Sequence, residues 1–254
     1  QIRESLKSTY ADEYTLSLSG ALGTRGSFRL DGIYRKFGDF IDTFTDTTTG
    51  KVTDSVGITY DLALLQNTNA IERTYGALQL QAAYRLFESL NLGGNYTYSH
   101  TYGNAITEDR GSGPRSFGWT SYPEYSDPAW NIPTGSLPQD QTHRLVAWAT
   151  YDLPIPKSLG ALNLSAVHTW NSGTPYGAVG SVATGPYVPD VGYETPPSSV
   201  SYYFTKRDAF RLPDTHRTDL ALNYSYNIGP VEVFVQPQVT NVFGNEAVIA
   251  VNTT

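Results

Sequence analysis

The histidines and acidic residues are the side chains of this 254-residue chain that could bind a metal ion or move a proton. His100, His143, His168 and His216 are far apart in the sequence, whereas a zinc site draws its ligands from a close cluster. The acidic residues between 39 and 54 could offer oxygens to calcium, but their spacing is not that of an EF-hand. The sequence therefore predicts no metal site and no cofactor.

Nucleophilic and phosphate-binding motifs are also missing. No Gly-x-Ser-x-Gly turn occurs, and the glycine-rich segment 173–180 lacks the lysine and the helix of a phosphate-binding loop. The chain is therefore predicted not to be an enzyme.

Aromatic residues in two long polar segments are the remaining candidates for chemistry, and the chemistry is recognition. Rigid rings of this kind stack on a sugar, a chelate or a peptide, although they also pack long loops against one another. The candidate ligand-binding residues are Tyr122, Tyr125, Trp130, Tyr176, Tyr187, Tyr202 and Tyr203.

The segments that must position these loops alternate apolar and polar residues, which is the period of a two-faced strand. In the segment 216–228, for example, Leu220, Leu222 and Tyr224 fall on one side, and Asp219 and Asn223 on the other. The predicted strands are Glu13 to Leu22, Ser27 to Phe37, Tyr75 to Phe87, Leu90 to Tyr102, Thr142 to Leu153, Ala161 to Asn171, Thr218 to Ile228 and Val231 to Val242.

The connections between these strands alternate between short turns and long loops. The long loops cover residues 38–74, 103–139 and 172–215, and each exceeds the length of about 12–15 residues that compact soluble domains tolerate. Short turns at one end and long loops at the other are typical of bacterial outer-membrane barrels. The sequence therefore predicts an all-β, antiparallel transmembrane barrel with short periplasmic turns and long extracellular loops.

Composition agrees with this prediction. Hydrophobic residues make up 39% of the chain, yet no apolar run reaches the about 20 residues of a membrane-spanning helix. A net charge of −7 with scattered basic residues argues against a nucleic-acid partner. Many aromatic residues lie near predicted strand ends, as in an interfacial girdle: Tyr34, Phe37, Tyr98, Tyr102, Tyr151, Trp170, Tyr224 and Tyr226.

Some local expectations follow. Phe40 to Asp46 and Lys51 to Leu65 flank Thr47 to Gly50, which predicts a hairpin in the first long loop. Prolines in the other two loops favour ordered coil without regular structure. Pro237 predicts a bulge or a strand end, because proline lacks a backbone donor.

Several motifs carry a resemblance to a known family. They are YRKFGDF (34–40), YPEYSDPAWN (122–131), DQTHR (140–144), SGTPYGAVG (172–180), TPPSSVSYYFTKRDAFR (195–211), HRTDLALNYSY (216–226) and QVTNVFGNEA (238–247). Together the motifs resemble TonB-dependent outer-membrane receptors, in particular the Oar-like branch with a carboxypeptidase-regulatory-like domain.

The resemblance implies that residues 1–254 are the C-terminal part of a 22-stranded barrel, with the plug domain and the final strands outside this sequence. It implies outer-membrane lipid as surroundings, and the TonB–ExbB–ExbD complex as an energy-coupling partner reached through the plug. The implied function is active uptake, or export, of a solute or polypeptide across the outer membrane.

Three other interpretations stay open at this point. A passive porin would have similar strands. A soluble extracellular β-sandwich, serving as an adhesin or a glycan-binding module, would also alternate and would carry aromatic binding loops. A structural surface protein would use the loops to contact partner chains.

His143 and His216 share one further feature: each precedes an arginine where a long loop re-enters a strand. The two residues could form a ligand-binding or proton-linked site. The favoured interpretation is an anchor at the level of the lipid headgroups, and the same level suits His100 and His168.

Overall fold

The computed structural model describes residues 5–109, 113–115 and 122–252. Eight long strands form one antiparallel sheet in which each strand pairs with the next along the chain. They are β1 (Tyr10–Leu22), β2 (Gly26–Gly38), β3 (Arg73–Phe87), β4 (Leu90–Gly103), β5 (His143–Leu153), β6 (Ala161–Asn171), β7 (Thr215–Ile228) and β8 (Val231–Val235, continued by Gln238–Val239).

The register gives the sheet one apolar face and one polar face. One cross-strand row of the apolar face contains Leu18, Leu30, Leu80, Tyr96, Leu145 and Trp170. The row beside it on the polar face contains Ser17, Asp31, Gln79, Thr97, Arg144 and Asn171. The alternation that predicted the strands therefore continues across the whole sheet.

The apolar face is exposed, and no second sheet in the described part of the chain covers it. Leu16 is 81% exposed, Leu18 60% and Leu78 53%. A soluble β-sandwich would bury these leucines between two layers, so the sandwich interpretation is wrong. An exposed apolar face is what a membrane-spanning strand presents to lipid.

Short turns join the strands at one end of the sheet. Gly23 and Gly229 lie in the β1–β2 and β7–β8 turns with φ of 62°, a conformation that glycine adopts without strain. A single 3-10 turn, Lys157–Leu159, lies between β5 and β6. Each of these turns joins sequential strands, as expected.

Seven predicted strands match the observed ones to within about three residues, which is the usual uncertainty of a predicted element boundary. The eighth is interrupted at Pro237, between Val235 and Gln238. The expectation of a break at this proline is confirmed.

At the other end of the sheet lie three long loops, named here loop 1 (39–72), loop 2 (104–142) and loop 3 (172–214). Loop 1 contains the strand pairs Ile41–Phe44 with Leu64–Asn67 and Lys51–Thr53 with Thr59–Asp61. Loop 2 contains the pair Thr107–Asp109 with Gly113–Arg115, the helix α1 (Pro128–Asn131), and Gly135–Ser136, which pairs with β4. Loop 3 contains Pro175–Tyr176 with Phe210–Arg211 and Val179–Ala183 with Ser199–Tyr203.

Two local expectations for the loops are corrected. Loop 1 carries a hairpin, as predicted, but the hairpin tip is not at Thr47 to Gly50. There Asp46 only closes a local turn, by accepting hydrogen bonds from the backbone N–H groups of Thr48 and Thr49. The hairpin tip lies instead at Asp54, whose carboxylate accepts from Val56 and Ile58. Loop 3 is not irregular coil, since its two strand pairs form a ribbon that continues from the ends of β6 and β7.

The buried core lies at the base of the loops. Phe40, Ile71, Ala105 and Ile132 form a cluster against which Phe37 packs. Phe37 was expected in the interfacial girdle, but this cluster holds it at the base of the loops. The core therefore fixes loops 1 and 2 to the end of the sheet.

The rings of Tyr34, Tyr98 and Trp170 lie near the loop end of the apolar face, and those of Tyr151, Tyr224 and Tyr226 near its turn end. In the described residues, no helix is long and apolar enough to cross a membrane.

Candidate ligand-binding site

Loops 2 and 3 meet where helix α1 lies against the loop 3 ribbon. Asp127 caps the helix by accepting a hydrogen bond from the N–H of Ala129, and Pro128 occupies the first turn, where its missing donor has no cost. The buried Asn131 side chain donates to the carbonyl of Ser201 over 2.5 Å. The Trp130 indole stacks on Tyr202 with ring centres 5.6 Å apart and an angle of 8° between the planes.

A cavity of about 550 Å³ opens beside this contact. Its aromatic walls are Tyr125, Trp130, Tyr187, Tyr202 and Phe204, and its aliphatic walls are Val182, Val188 and Val200. Tyr202 and Phe204 are themselves in contact, with ring centres 5.1 Å apart. Its volume is in the range of small-molecule sites, about 300–1,000 Å³.

Four polar side chains border the cavity on the loop 2 side: Glu124, Ser126, Asp127 and Asn131. Glu124 accepts a 2.7 Å hydrogen bond from the Tyr193 hydroxyl through one oxygen. The Ser126 side chain is nine-tenths buried, and its hydroxyl has no hydrogen-bond partner among the described residues. The cavity thus combines apolar rings with hydrogen-bonding groups that a ligand could use.

A tyrosine cluster behind the cavity joins loops 2 and 3. Tyr122, Tyr125 and Tyr193 contact one another edge to face, with Tyr122 and Tyr193 centres 4.8 Å apart. Burial, followed by the hydrogen bond to Glu124, raises the pKa of Tyr193 far above its usual value. The Tyr193 phenol is therefore a stable hydrogen-bond donor at physiological pH.

Loop 1 is tied to this cluster through Asp61. The Asp61 carboxylate accepts hydrogen bonds from the backbone N–H groups of Glu194 and Thr195, at 3.1 and 2.9 Å, and lies 3.4 Å from the Tyr122 hydroxyl. Burial acts to raise the pKa of Asp61, but these donors hold it below the usual value. Lys51 also pairs with Glu194 at 2.6 Å. All three long loops are therefore connected.

The seven candidate residues separate into three groups. Tyr125, Trp130, Tyr187 and Tyr202 line the cavity, and Tyr122 supports it through the tyrosine cluster. Tyr176 and Tyr203 have other positions: Tyr176 contacts Phe210, and the Tyr203 ring lies under the Arg207 guanidinium at 4.8 Å.

Sequence reasoning missed Phe204 and the bordering Ser126. A sequence signal existed for Phe204, because it continues the alternation of the ribbon strand Ser199–Tyr203 by one residue. Nothing in the sequence signals that Ser126 is buried, since its burial comes from the contact between two loops.

The histidines lie on the apolar face near the loop end. His143 and the Tyr96 hydroxyl share a 2.7 Å hydrogen bond, and the His143 ring stacks on Trp170. His216 stacks on Trp170 at 6.2 Å, and the Trp170 indole donates to Asp214 over 3.0 Å. This arrangement fits the loop-to-strand anchor. In the part of the chain that is described, no group of three or more acidic, histidine or cysteine side chains could hold a metal ion.

The polar face carries hydrogen-bonded charges. Arg29 pairs with Asp31 at 2.8 Å, and Asp31 also accepts from the Ser17 hydroxyl. The Trp148 ring lies close to Gly93, where it occupies the space that a side-chain methyl group would need. This face therefore carries hydrogen-bonding and aromatic groups.

Comparisons with known proteins give a family and a fold. The family model described as "Outer membrane beta barrel domain" matches residues 39–252. The crystal structure of the outer membrane transporter YddB from Escherichia coli superposes with a TM-score of 0.57 at 12% identity, covering 96% of this chain and 30% of that one. The chain thus spans about a third of the length of this structural neighbour. No curated protein matches the sequence.

Proposed function

Because the chain belongs to the outer membrane β-barrel domain family and resides in the bacterial outer membrane, we propose that it is part of a TonB-dependent transporter of the Oar-like type. In this proposal the chain contributes eight strands to a barrel of 22, and a plug outside this sequence couples it to TonB–ExbB–ExbD. Loops 1 to 3 capture the transported molecule, and the polar face lines its route. Transport is inward, or outward for an exported polypeptide.

The aromatic cavity between loops 2 and 3 is the observation that carries this proposal. A passive pore needs only a polar route, whereas an active transporter must first bind a scarce solute. Tyr125, Trp130, Tyr187 and Tyr202 come from two separate loops, and they converge on one cavity bordered by Glu124 and Asp127. Three interlocked loops hold this cavity in place.

An uptake comparison tests the proposal. The culture medium is profiled for compounds that wild-type cells remove, and the same profile is taken from cells that lack this gene and from cells that lack TonB. We expect at least one compound to be depleted by wild-type cells only. Equal depletion with and without TonB would instead indicate a passive porin.

A pair of tyrosine variants connects transport to the cavity. Tyr187→Ala removes an exposed ring that lines the cavity, and Tyr60→Ala removes an exposed loop 1 ring outside it. We expect the first variant to slow uptake and the second to leave it unchanged. Equal uptake rates in the two variants would show that the cavity is not needed for transport.

A further inference from the structure

The charge of the cavity restricts the class of ligand. Glu124 and Asp127 are acidic, and the described residues around the cavity include no lysine, arginine or histidine. Burial, together with the nearby Asp190 and Glu124, raises the pKa of Tyr125, which also indicates a negative local field. An anionic ligand, such as a carboxylate or catecholate iron chelate, would be repelled here.

The hydrogen-bonding groups favour a ligand that donates. Among the described residues, Glu124 and Asp127 each use one carboxylate oxygen, with the Tyr193 hydroxyl and with the N–H of Ala129 respectively. A ligand rich in hydroxyl groups would donate to the second oxygen of each carboxylate.

The rings favour a ligand with a flat apolar face. Tyr202 covers one side of the Trp130 indole, yet Trp130 remains 51% exposed, so the other side can accept a second ring. Tyr187 is 77% exposed and borders the same space. Stacking on the Trp130 ring, which Tyr202 already holds, costs little conformational entropy.

From these observations we infer that the cavity binds a neutral saccharide, with one sugar ring stacked on Trp130 and its hydroxyls bonded to Glu124 and Asp127. The inference rests on the proposed function, since it names the substrate class of the same site. A volume of about 550 Å³ suits a short oligosaccharide.

Isothermal titration of the full-length protein in detergent tests this inference. The probes are maltotetraose, cellotetraose and chitotetraose, with ferric citrate as the anionic comparison. We expect at least one tetrasaccharide to bind with an affinity that does not depend on salt concentration, and ferric citrate not to compete. Failure of all three tetrasaccharides to bind, or displacement by ferric citrate, would overturn the inference.

Two variants locate the binding. Trp130→Ala should weaken saccharide binding about tenfold, and Trp130→Phe should recover part of the loss. Tyr187→Ala should weaken binding several-fold without unfolding the loops, because its ring makes no ring contact or side-chain hydrogen bond that the structure records. Tyr60→Ala serves as the matched control. Unchanged affinity in both cavity variants would place the saccharide elsewhere.

The outcomes for the ligand and for transport are separable. If saccharide binding requires Trp130 but uptake by cells does not require TonB, this inference is retained and active transport is rejected. TonB-dependent uptake of a compound other than a saccharide, with no tetrasaccharide bound, would retain the proposed function and reject this inference.

Discussion

A charge placed in the middle of β3 distinguishes the two faces of the sheet. Leu80 is the central residue of Arg73–Phe87, and its cross-strand neighbours on the apolar face are Leu30 and Tyr96. If this face contacts lipid, Leu80→Arg puts a guanidinium near the middle of the bilayer. That position costs about 2–4 kcal/mol in a transmembrane barrel.

The neighbouring residue provides the control. Gln79 is on the polar face, with Asp31 and Thr97 as cross-strand neighbours. Gln79→Arg therefore gains an acidic neighbour in an aqueous environment, and its effect on stability should stay within about 1 kcal/mol.

The free energy of unfolding is measured by urea titration of the full-length protein folded into lipid vesicles, monitored by the mobility shift of the folded form on gels. We expect a large loss for Leu80→Arg and almost none for Gln79→Arg. Equal losses, or a larger loss for Gln79→Arg, would refute the assignment of the apolar face to lipid.

Three further predictions concern the loops and the strand ends. Asp61→Asn should weaken the contact between loops 1 and 3, because a neutral amide oxygen accepts hydrogen bonds less strongly than a carboxylate. The distance distribution between spin labels on Val56→Cys and Val191→Cys, measured by electron spin resonance, should therefore broaden. Labelling is specific since the chain has no cysteine. The pKa of Asp61 is lowered, so the contribution of this carboxylate to loop contact is present above the usual value of 3.8 and is lost as the pH falls below that value. In acid, the same distance distribution should therefore broaden for the wild-type protein and change less for Asp61→Asn. Gly103→Ala should lower the free energy of unfolding by about 1–3 kcal/mol in the urea titration. The reason is that φ of Gly103 is 141° and the new methyl group would be 2.1 Å from a backbone carbonyl oxygen. Gly76→Ala, with open space around it, should leave the free energy of unfolding unchanged.

The strands could be predicted from the sequence because a membrane-spanning strand depends mainly on its own pattern. The segment Ala161–Asn171 was predicted with both ends correct, since alternation begins after Gly160 and ends before the polar loop. Thr215 to Arg217 were missed at the start of β7. These residues are polar, and only their pairing with Thr169 to Asn171 makes them part of a strand.

The cavity could be predicted only in part. Residue type identified Tyr125, Trp130, Tyr187 and Tyr202 as rings suited to recognition, and the structure brings these four together. Tyr203 has the same residue type, but the ribbon directs it toward Arg207. The difference between two adjacent tyrosines depends on the strand pairing inside loop 3, which the sequence pattern of a proline-rich segment did not reveal.

The interlocked loops also have an immunological consequence. Asp61, Tyr122 and Glu194 belong to three different loops and lie together on one surface. An antibody that binds where the three loops meet would therefore recognise a discontinuous epitope. Such an antibody would fail on immunoblots of denatured protein, and a peptide from any single loop would not compete for it.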